Sequence, residues 1–357
     1  MLYFFYYKEM EVTAMEQYVQ YAVDQTCRLL AIDSPSGYTQ KAADYVTAEL
    51  TQLGFRPTLT RKGGVLVCLN PDLPEDDGVL LEAHVDTLGG MVTQISGNRL
   101  KLTPLGGMNP NNGETENVRV YTRDGKVFTG VFQLHNASVH VNDDYSSAKR
   151  SYDTMEVVLD EEVSSEDDVR ALGIQPGDIV CFDPRTVVTP SGYIKSRFLD
   201  DKLSVGILLA LARRVADGLL VPQRRVWLHI TVFEEVGHGG SASVPAGVTE
   251  AVSVDMGCVG DGLGCKETQV SICAKDSGGP YHYDIVTALI NAAKVSGADY
   301  AVDIYPHYGS DVEATLRSGH DLRHGLIGPG VYASHGYERS HKKGVAATLK
   351  LLDQYLR

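Results

Sequence analysis

Two adjacent carboxylates, Glu234 and Glu235, close an apolar β-branched run from Val226 to Phe233 and lead at once into the turn Gly237-His238-Gly239-Gly240. A buried strand that ends this way delivers charge to the carboxyl edge of a sheet, where open α/β proteins place their sites. Neighbouring strand residues face opposite ways. A strand that breaks at the glycines, however, can turn both carboxylates toward one centre, one gripping a metal and the other facing its water. The pattern recurs along the chain. Glu82-Ala83-His84-Val85-Asp86 ends another apolar run. His84 and Asp86, two apart, share a face of it, so a carboxylate can take the proton on one ring nitrogen while the other binds metal. Asp200-Asp201 opens a helical stripe, Asp255 ends the apolar run from Ala251 to Val254, and His335 sits in Val331-Tyr332-Ala333-Ser334-His335-Gly336-Tyr337.

Taken singly, each has an ordinary structural reading. These are a solvent-facing glutamate pair, a chance acid beside a strand-end histidine, a helix-capping aspartate, a turn aspartate and a satisfied structural histidine. Taken together they fall at the ends of successive α/β elements, which is hard to assign to chance. His84, Asp200, Glu235, Asp255 and His335 make a carboxylate-plus-imidazole donor set suited to Zn2+, Co2+ or Mn2+. With one aspartate shared, such a set seats two cations about 3.5–4 Å apart, the arrangement that holds a hydroxide nucleophile and clamps a carbonyl oxygen. Glu234 is then left over to act as a general base.

Positioning these residues takes an α/β frame. The spacing of Tyr18, Ala22, Cys27, Leu29, Leu30 and Ile32 predicts a helix over 15–31, and Thr39 can cap a second over 40–53. Strands are predicted at 65–69 and 78–85. From 90 to 192 the segments become short and β-like, with Asp124-Gly125 as a hairpin signal and 135–150 as a long polar loop. The α/β alternation resumes at Leu199, with strands at 226–233, 251–255, 268–274, 301–304 and 326–329 and helices over 284–295, 311–317 and 342–355. The expected architecture is a mixed α/β sheet flanked by helices, at 15–89 and 193–357, with a small β-barrel inserted at 90–192.

Composition narrows the function classes. A length of 357 residues suits one large α/β unit plus a second, and a net charge of −14 argues against nucleic acid or an anionic membrane as partner. Six cysteines without a Cys-x-x-Cys pair point to a reducing, cytoplasmic setting. The apolar start Met1–Tyr7 is too short to span a bilayer and reads as a frayed leader ahead of a start at Met10 or Met15. His229 and His238 read as sheet-face and solvent-facing residues, and Lys275, Arg323 and Arg339 as surface cations able to meet an acidic group.

In order, His84-Val85-Asp86, Leu199-Asp200-Asp201-Lys202, Glu234-Glu235-Val236-Gly237, Val254-Asp255, Gly309-Ser310-Asp311 and His335 resemble the pattern of a known enzyme family. It is that of the glutamyl aminopeptidase-like, TET-type dinuclear metallopeptidases, metallopeptidase family forty-two. The resemblance runs from about Met15 to the C-terminus and includes a β insert where that family carries its dimerisation domain. It implies a zinc-exopeptidase-like fold, two divalent ions per subunit (Zn2+ or Co2+, with Mn2+ a further option), and removal of the N-terminal residue of a peptide or a closely related small amide. By position, Asp200 would bridge the metals, His84 and Asp255 would complete one site, and Glu235 and His335 the other. Glu234 would be the base, Asp86 would orient His84, and Ser310 and Asp311 would belong to a substrate-side loop. Assembly would run from dimers to a tetrahedral dodecamer. Two stretches depart from the family pattern: Thr87 replaces an acid, and Gly336-Tyr337-Glu338-Arg339-Ser340-His341 replaces a Ser-Pro pair. The latter, with Asp276-Ser277-Gly278-Gly279-Pro280, resembles a subgroup associated with making a dipeptide-amide osmoprotectant. The rival readings are an amidase or deacylase acting on a small N-acylated or dipeptide-amide substrate and, from another class, an inactive metal-binding interaction protein, against which Glu234 speaks.

Overall fold

The computed structural model describes residues 2–357, with side-chain surroundings from Met15 onward. Met1 of the expected leader Met1–Tyr7 lies outside the described residues, and the backbone from Leu2 onward is helical. The first helix is Leu2–Leu30, and its apolar stripe Tyr18, Val19, Ala22, Val23, Leu29 and Leu30 is buried.

Four parallel strands form the centre of a 12-stranded sheet, in the order Val226–Thr231, Gly78–His84, Val248–Val254 and Arg323–Tyr332. Their near-continuous apolar runs suit strands buried on both faces. The alternation is readable in Gly78–His84. Val79, Leu81 and Ala83 enter the larger core with the helix Leu199–Ala216, while Leu80 meets Val312 and Leu326 in a smaller core on the other face. Each fully buried Leu or Ile here contributes about 1.5–3 kcal/mol. Because the strands are parallel, their carboxyl ends share one edge: Thr231 pairs with His84, and Val254 with Ile327. The residues that follow them meet there.

Between Gly89 and Phe182 the chain forms the expected barrel, closed and antiparallel. Its strand order is Gly89–Ser96, Arg99–Leu105, Met155–Leu159, Val127–Leu134, Glu116–Tyr121 and Ile179–Phe182. Gly125, at φ +85°, makes the turn between Glu116–Tyr121 and Val127–Leu134. Phe132 and Phe182 meet edge to face at 5.5 Å inside. Residues 136–150 contain no helix or strand.

Several elements depart from the sequence reading. Glu338–His341, Tyr193–Ser196 and Val187–Val188 extend the main sheet; all three are short, and the first two are partly polar. Gly89–Ser96 hides behind its opening glycines, and the six-residue helix Glu166–Ala171 is set by a capping box from Ser165 to Asp168. Thr39 takes the cap position of Gln40–Gln52, but its side chain makes no capping hydrogen bond. Among the described residues no helix is long and apolar enough to cross a membrane, and Cys27, Cys68, Cys181, Cys258, Cys265 and Cys273 are unpaired thiols.

Candidate active site

The strand Val226–Thr231 stops short of the glycines. Phe233 takes a left-handed conformation (φ +70°), and Glu234–Val236 form one 3-10 turn that Gly237 ends at φ +85°. This turn swings both carboxylates inward, with side chains 16% exposed at Glu234 and 4% at Glu235. Asp86 holds the turn: its Oδ1 accepts the Glu234 N–H at 3.1 Å, its Oδ2 accepts the Glu235 N–H at 3.4 Å, and Ser36 Oγ donates to Oδ2 at 2.6 Å. His84 Nδ1 is met by the Asp86 carbonyl at 2.9 Å, while the Asp86 carboxylate lies 3.6 Å away. The imidazole is therefore oriented by the backbone of Asp86, and its carboxylate serves the glutamates instead.

Asp200 and Asp201 precede the regular part of Leu199–Ala216 with non-helical backbone angles, so their carboxylates stand apart from the helix surface. Asp200 Oδ1 lies 3.1 Å from His84 Nε2, and its Oδ2 lies 3.6 Å from His335 Nε2 and accepts from Ser334 Oγ at 2.9 Å. One carboxylate thus addresses both imidazoles. Glu235 Oε2 is 3.6 Å from His335 Nε2, and Glu234 Oε2 is 3.7 Å from His84 Nε2. Two triads bring donor atoms within 4.8 Å of one another, His84 with Asp200 and Glu235, and His84 with Asp201 and Asp255. Glu235 Oε1 and Asp201 Oδ1 are buried without any hydrogen-bond partner. Buried oxygens left unpaired beside imidazole nitrogens are what a divalent cation satisfies.

The electrostatics agree. Burial pushes the carboxyls of Asp201, Glu234 and Glu235 well up, with neighbouring acids adding to it, and raises Asp255 to about 7. Burial alone would lower His84, but the hydrogen bond with Asp200 and the surrounding carboxylates push it well up. Burial would raise Asp200, yet His84 and His335 hold it below its ordinary value. The cluster holds more carboxyl groups than imidazoles, and crowding them together out of water is what disfavours their charged forms.

A cavity of about 510 Å3 opens on this cluster, lined by Asp200, Glu234, Glu235, Asp255 and His335 together with Met256, Cys258, His307, Tyr308, Ser310, Asp311, Glu313 and Arg317. Asp311 Oδ2 accepts from Thr231 Oγ1 at 2.5 Å, and its other oxygen lies so near Gly239 that a Cβ there would stand 2.1 Å from it. Ser310 Oγ lies 3.0 Å from Tyr281 Oη. Asp200, Glu234, Glu235, Asp255, Ser310, Asp311 and His335 therefore line one cavity, with His84 in contact with Asp200 and Asp86 gripping the glutamate turn behind it.

The sequence profile of the M42 glutamyl aminopeptidases matches residues 63–351. The chain belongs to the M42 glutamyl aminopeptidase family. It is a metallo-aminopeptidase, a hydrolase of peptide bonds. It is 43% identical over 330 residues to YhfE of Bacillus subtilis (strain 168), a protein that carries an aminopeptidase name, covering 92% of this chain and 95% of that one. Among solved structures, a TET aminopeptidase from a marine-sediment Thaumarchaeota archaeon aligns with a TM-score of 0.84 at 17% identity, over 94% of this chain and 95% of that one. The TET1 peptidase of Pyrococcus horikoshii aligns with a TM-score of 0.82 at 21% identity, over 94% and 99% of the two chains. Both likenesses show the fold.

Sequence reasoning overlooked several participants in this M42 site. Asp201, quoted beside Asp200 but left as a helix-start acid, keeps one oxygen unpaired and accepts the His84 N–H with the other at 3.2 Å. Glu313 and Arg317, four apart on the helix that Asp311 opens, share one face, a spacing that could have flagged them. Of the other residues noted, His229 is a buried partner of Glu82 and His238 stacks on Phe233. Arg323 pairs with Glu250, Arg339 with Glu267, and Lys275 donates to the Asp276 carbonyl.

Proposed function

We propose that this chain is a dinuclear-metal aminopeptidase acting on the N-terminal residue of peptides. In this reading Asp200 would be shared by two divalent ions, Zn2+ or Co2+ (Mn2+ also fits the donors), with His84 and Asp255 completing the donors of one and Glu235 and His335 those of the other. The observation that carries it is the single carboxylate of Asp200 with one oxygen toward each imidazole. When bound, the ions supply Lewis-acid activation of a water and of the scissile carbonyl. Glu234, at the rim of the cluster and open to the cavity, takes the proton from the attacking water and returns it to the leaving amine. Asp86 keeps Glu234 aimed by gripping its backbone N–H, and Ser310 and Asp311 face the substrate.

The Pyrococcus horikoshii TET1 peptidase can assemble into a tetrahedron or a large octahedral shell. That supports a homo-oligomer here, from a dimer through the barrel up to a dodecamer, and light scattering on the purified protein measures it. Unpaired cysteines favour a cytoplasmic setting. The deciding experiment combines metal analysis with a screen of aminoacyl-p-nitroanilides and short peptides, free and N-acetylated. Two metals per chain and cleavage of free-amine substrates alone support the reading. Turnover of the acetylated set instead assigns a deacylase.

A further inference from the structure

Gly336-Tyr337-Glu338-Arg339 departs from the family pattern, and the fold places one of these side chains against the backbone of Asp200 and His335. Glu338 opens the strand Glu338–His341, pairs with Ser196, and is 2% exposed. Its Oε2 accepts the backbone N–H of Asp200 at 3.1 Å, and its Oε1 accepts the backbone N–H of His335 at 3.2 Å. Neither donor has a place in regular structure: His335 is left-handed at φ +62°, and Asp200 has non-helical angles at the mouth of its helix. Buried N–H groups in such positions need an acceptor from elsewhere. Asn112, from the inserted barrel, closes the other side of the loop by donating to the His335 carbonyl at 2.8 Å.

We propose that Glu338 is a positioning residue, a two-pronged clamp whose carboxylate fixes the loops of Asp200 and His335 relative to each other and so sets the geometry in which they hold metal. The inference rests on the dinuclear reading above. A carboxylate suits the task because both its oxygens accept. Glutamine of the same shape turns an NH2 toward one of the two N–H donors, and aspartate is a methylene too short to span both. The clamp acts through the backbone, so replacing Glu338 removes no donor atom from the site.

Co2+ titration of the metal-free protein, followed by calorimetry and by the visible spectrum of the bound ion, separates the roles. Wild type takes up two ions per chain. Glu338→Gln is expected to weaken binding of at least one ion by about 10–100-fold and to change its spectrum, with far-ultraviolet circular dichroism retained. Equal affinity, stoichiometry and spectrum in the variant overturn the clamp while leaving the dinuclear reading intact. A wild-type chain that takes up no Co2+ overturns the dinuclear reading itself. If the variant does not fold, hydrogen exchange on the metal-free wild type decides. The Asp200 and His335 amides are expected to be protected before any metal is added, and exchange at unprotected rates overturns the clamp.

Discussion

His84 and His229 lie on neighbouring parallel strands, both buried beside carboxylates, yet only the surroundings of His84 leave acceptor oxygens unpaired. His84 pairs across the strands with Thr231, and His229 pairs with Glu82. The His229 contact is closed: Nδ1 meets Glu82 Oε1 at 3.1 Å, and Glu82 Oε2 accepts the Thr315 hydroxyl at 2.9 Å. Around His84 the acids outnumber their partners, two of their oxygens find no donor, and a cavity opens beside them. A buried imidazole–carboxylate contact is therefore weak as a sign of a site. Acceptor capacity left over after every local donor is counted is a strong one.

The largest effect belongs to the residue that no ligand count requires. Glu234→Gln is expected to lower turnover by about 10²–10⁴-fold, with both metals retained by elemental analysis; near-normal turnover would remove Glu234 as the base. Next comes the contrast between the histidines. His84→Ala is expected to lose metal outright, by more than the roughly 10–100-fold that changes behind a ligand produce, and full occupancy would strike His84 from the ligand set. His229→Gln should do the opposite, keeping both metals while denaturant titration reads a stability loss of about 1–3 kcal/mol, because the buried Glu82 oxygen that faces the imidazole is left without that partner. A His229 variant that loses metal instead would erase the distinction between the two pairs.

How much of this was legible follows from what sequence periodicity records. Strand-end placement was readable, because runs such as Val226–Phe233 stop abruptly at charge and parallel strands share one edge. The ligand candidates therefore came out of order and residue type alone. What periodicity does not record is which atom of a residue does the work. Asp86 was expected to orient His84 with its carboxylate, and the structure uses its carbonyl, freeing the carboxylate for the amides of Glu234 and Glu235. Asp201 and Glu338 were invisible as supports for the same reason: Asp201 binds the N–H of His84 and Glu338 that of Asp200, both far away in the chain, and no local pattern encodes that. The sheet's far edge, Tyr193–Ser196 and Glu338–His341, was missed because its polar side chains are buried by the fold and alternate with nothing recognisable.

A third buried acid pair tests the comparison from another side, because it has no imidazole at all. Glu313 lines the cavity beside Asp276, whose Oδ2 accepts from Tyr281 Oη at 2.5 Å, and Gly278 packs so close that a Cβ there would overlap the Glu313 carboxylate. Burial, then the hydrogen bond and charge of Asp276, raise Glu313 to about 7, against the pull of Arg317 at 2.7 Å. Here a shared proton does what histidine does for Glu82. An acid whose folded value lies above its ordinary 4.5 keeps a proton that the unfolded chain has already shed. Stability from this group is thus present below about 4.5, declines as pH rises toward 7, and is absent above it. Glu313→Gln supplies a permanent donor to Asp276, so thermal unfolding should show wild type and variant converging at low pH. Above pH 7 the variant should melt higher by roughly a few degrees. A variant that melts lower at every pH would mean that the Arg317 contact, rather than the proton shared with Asp276, holds this corner of the cavity.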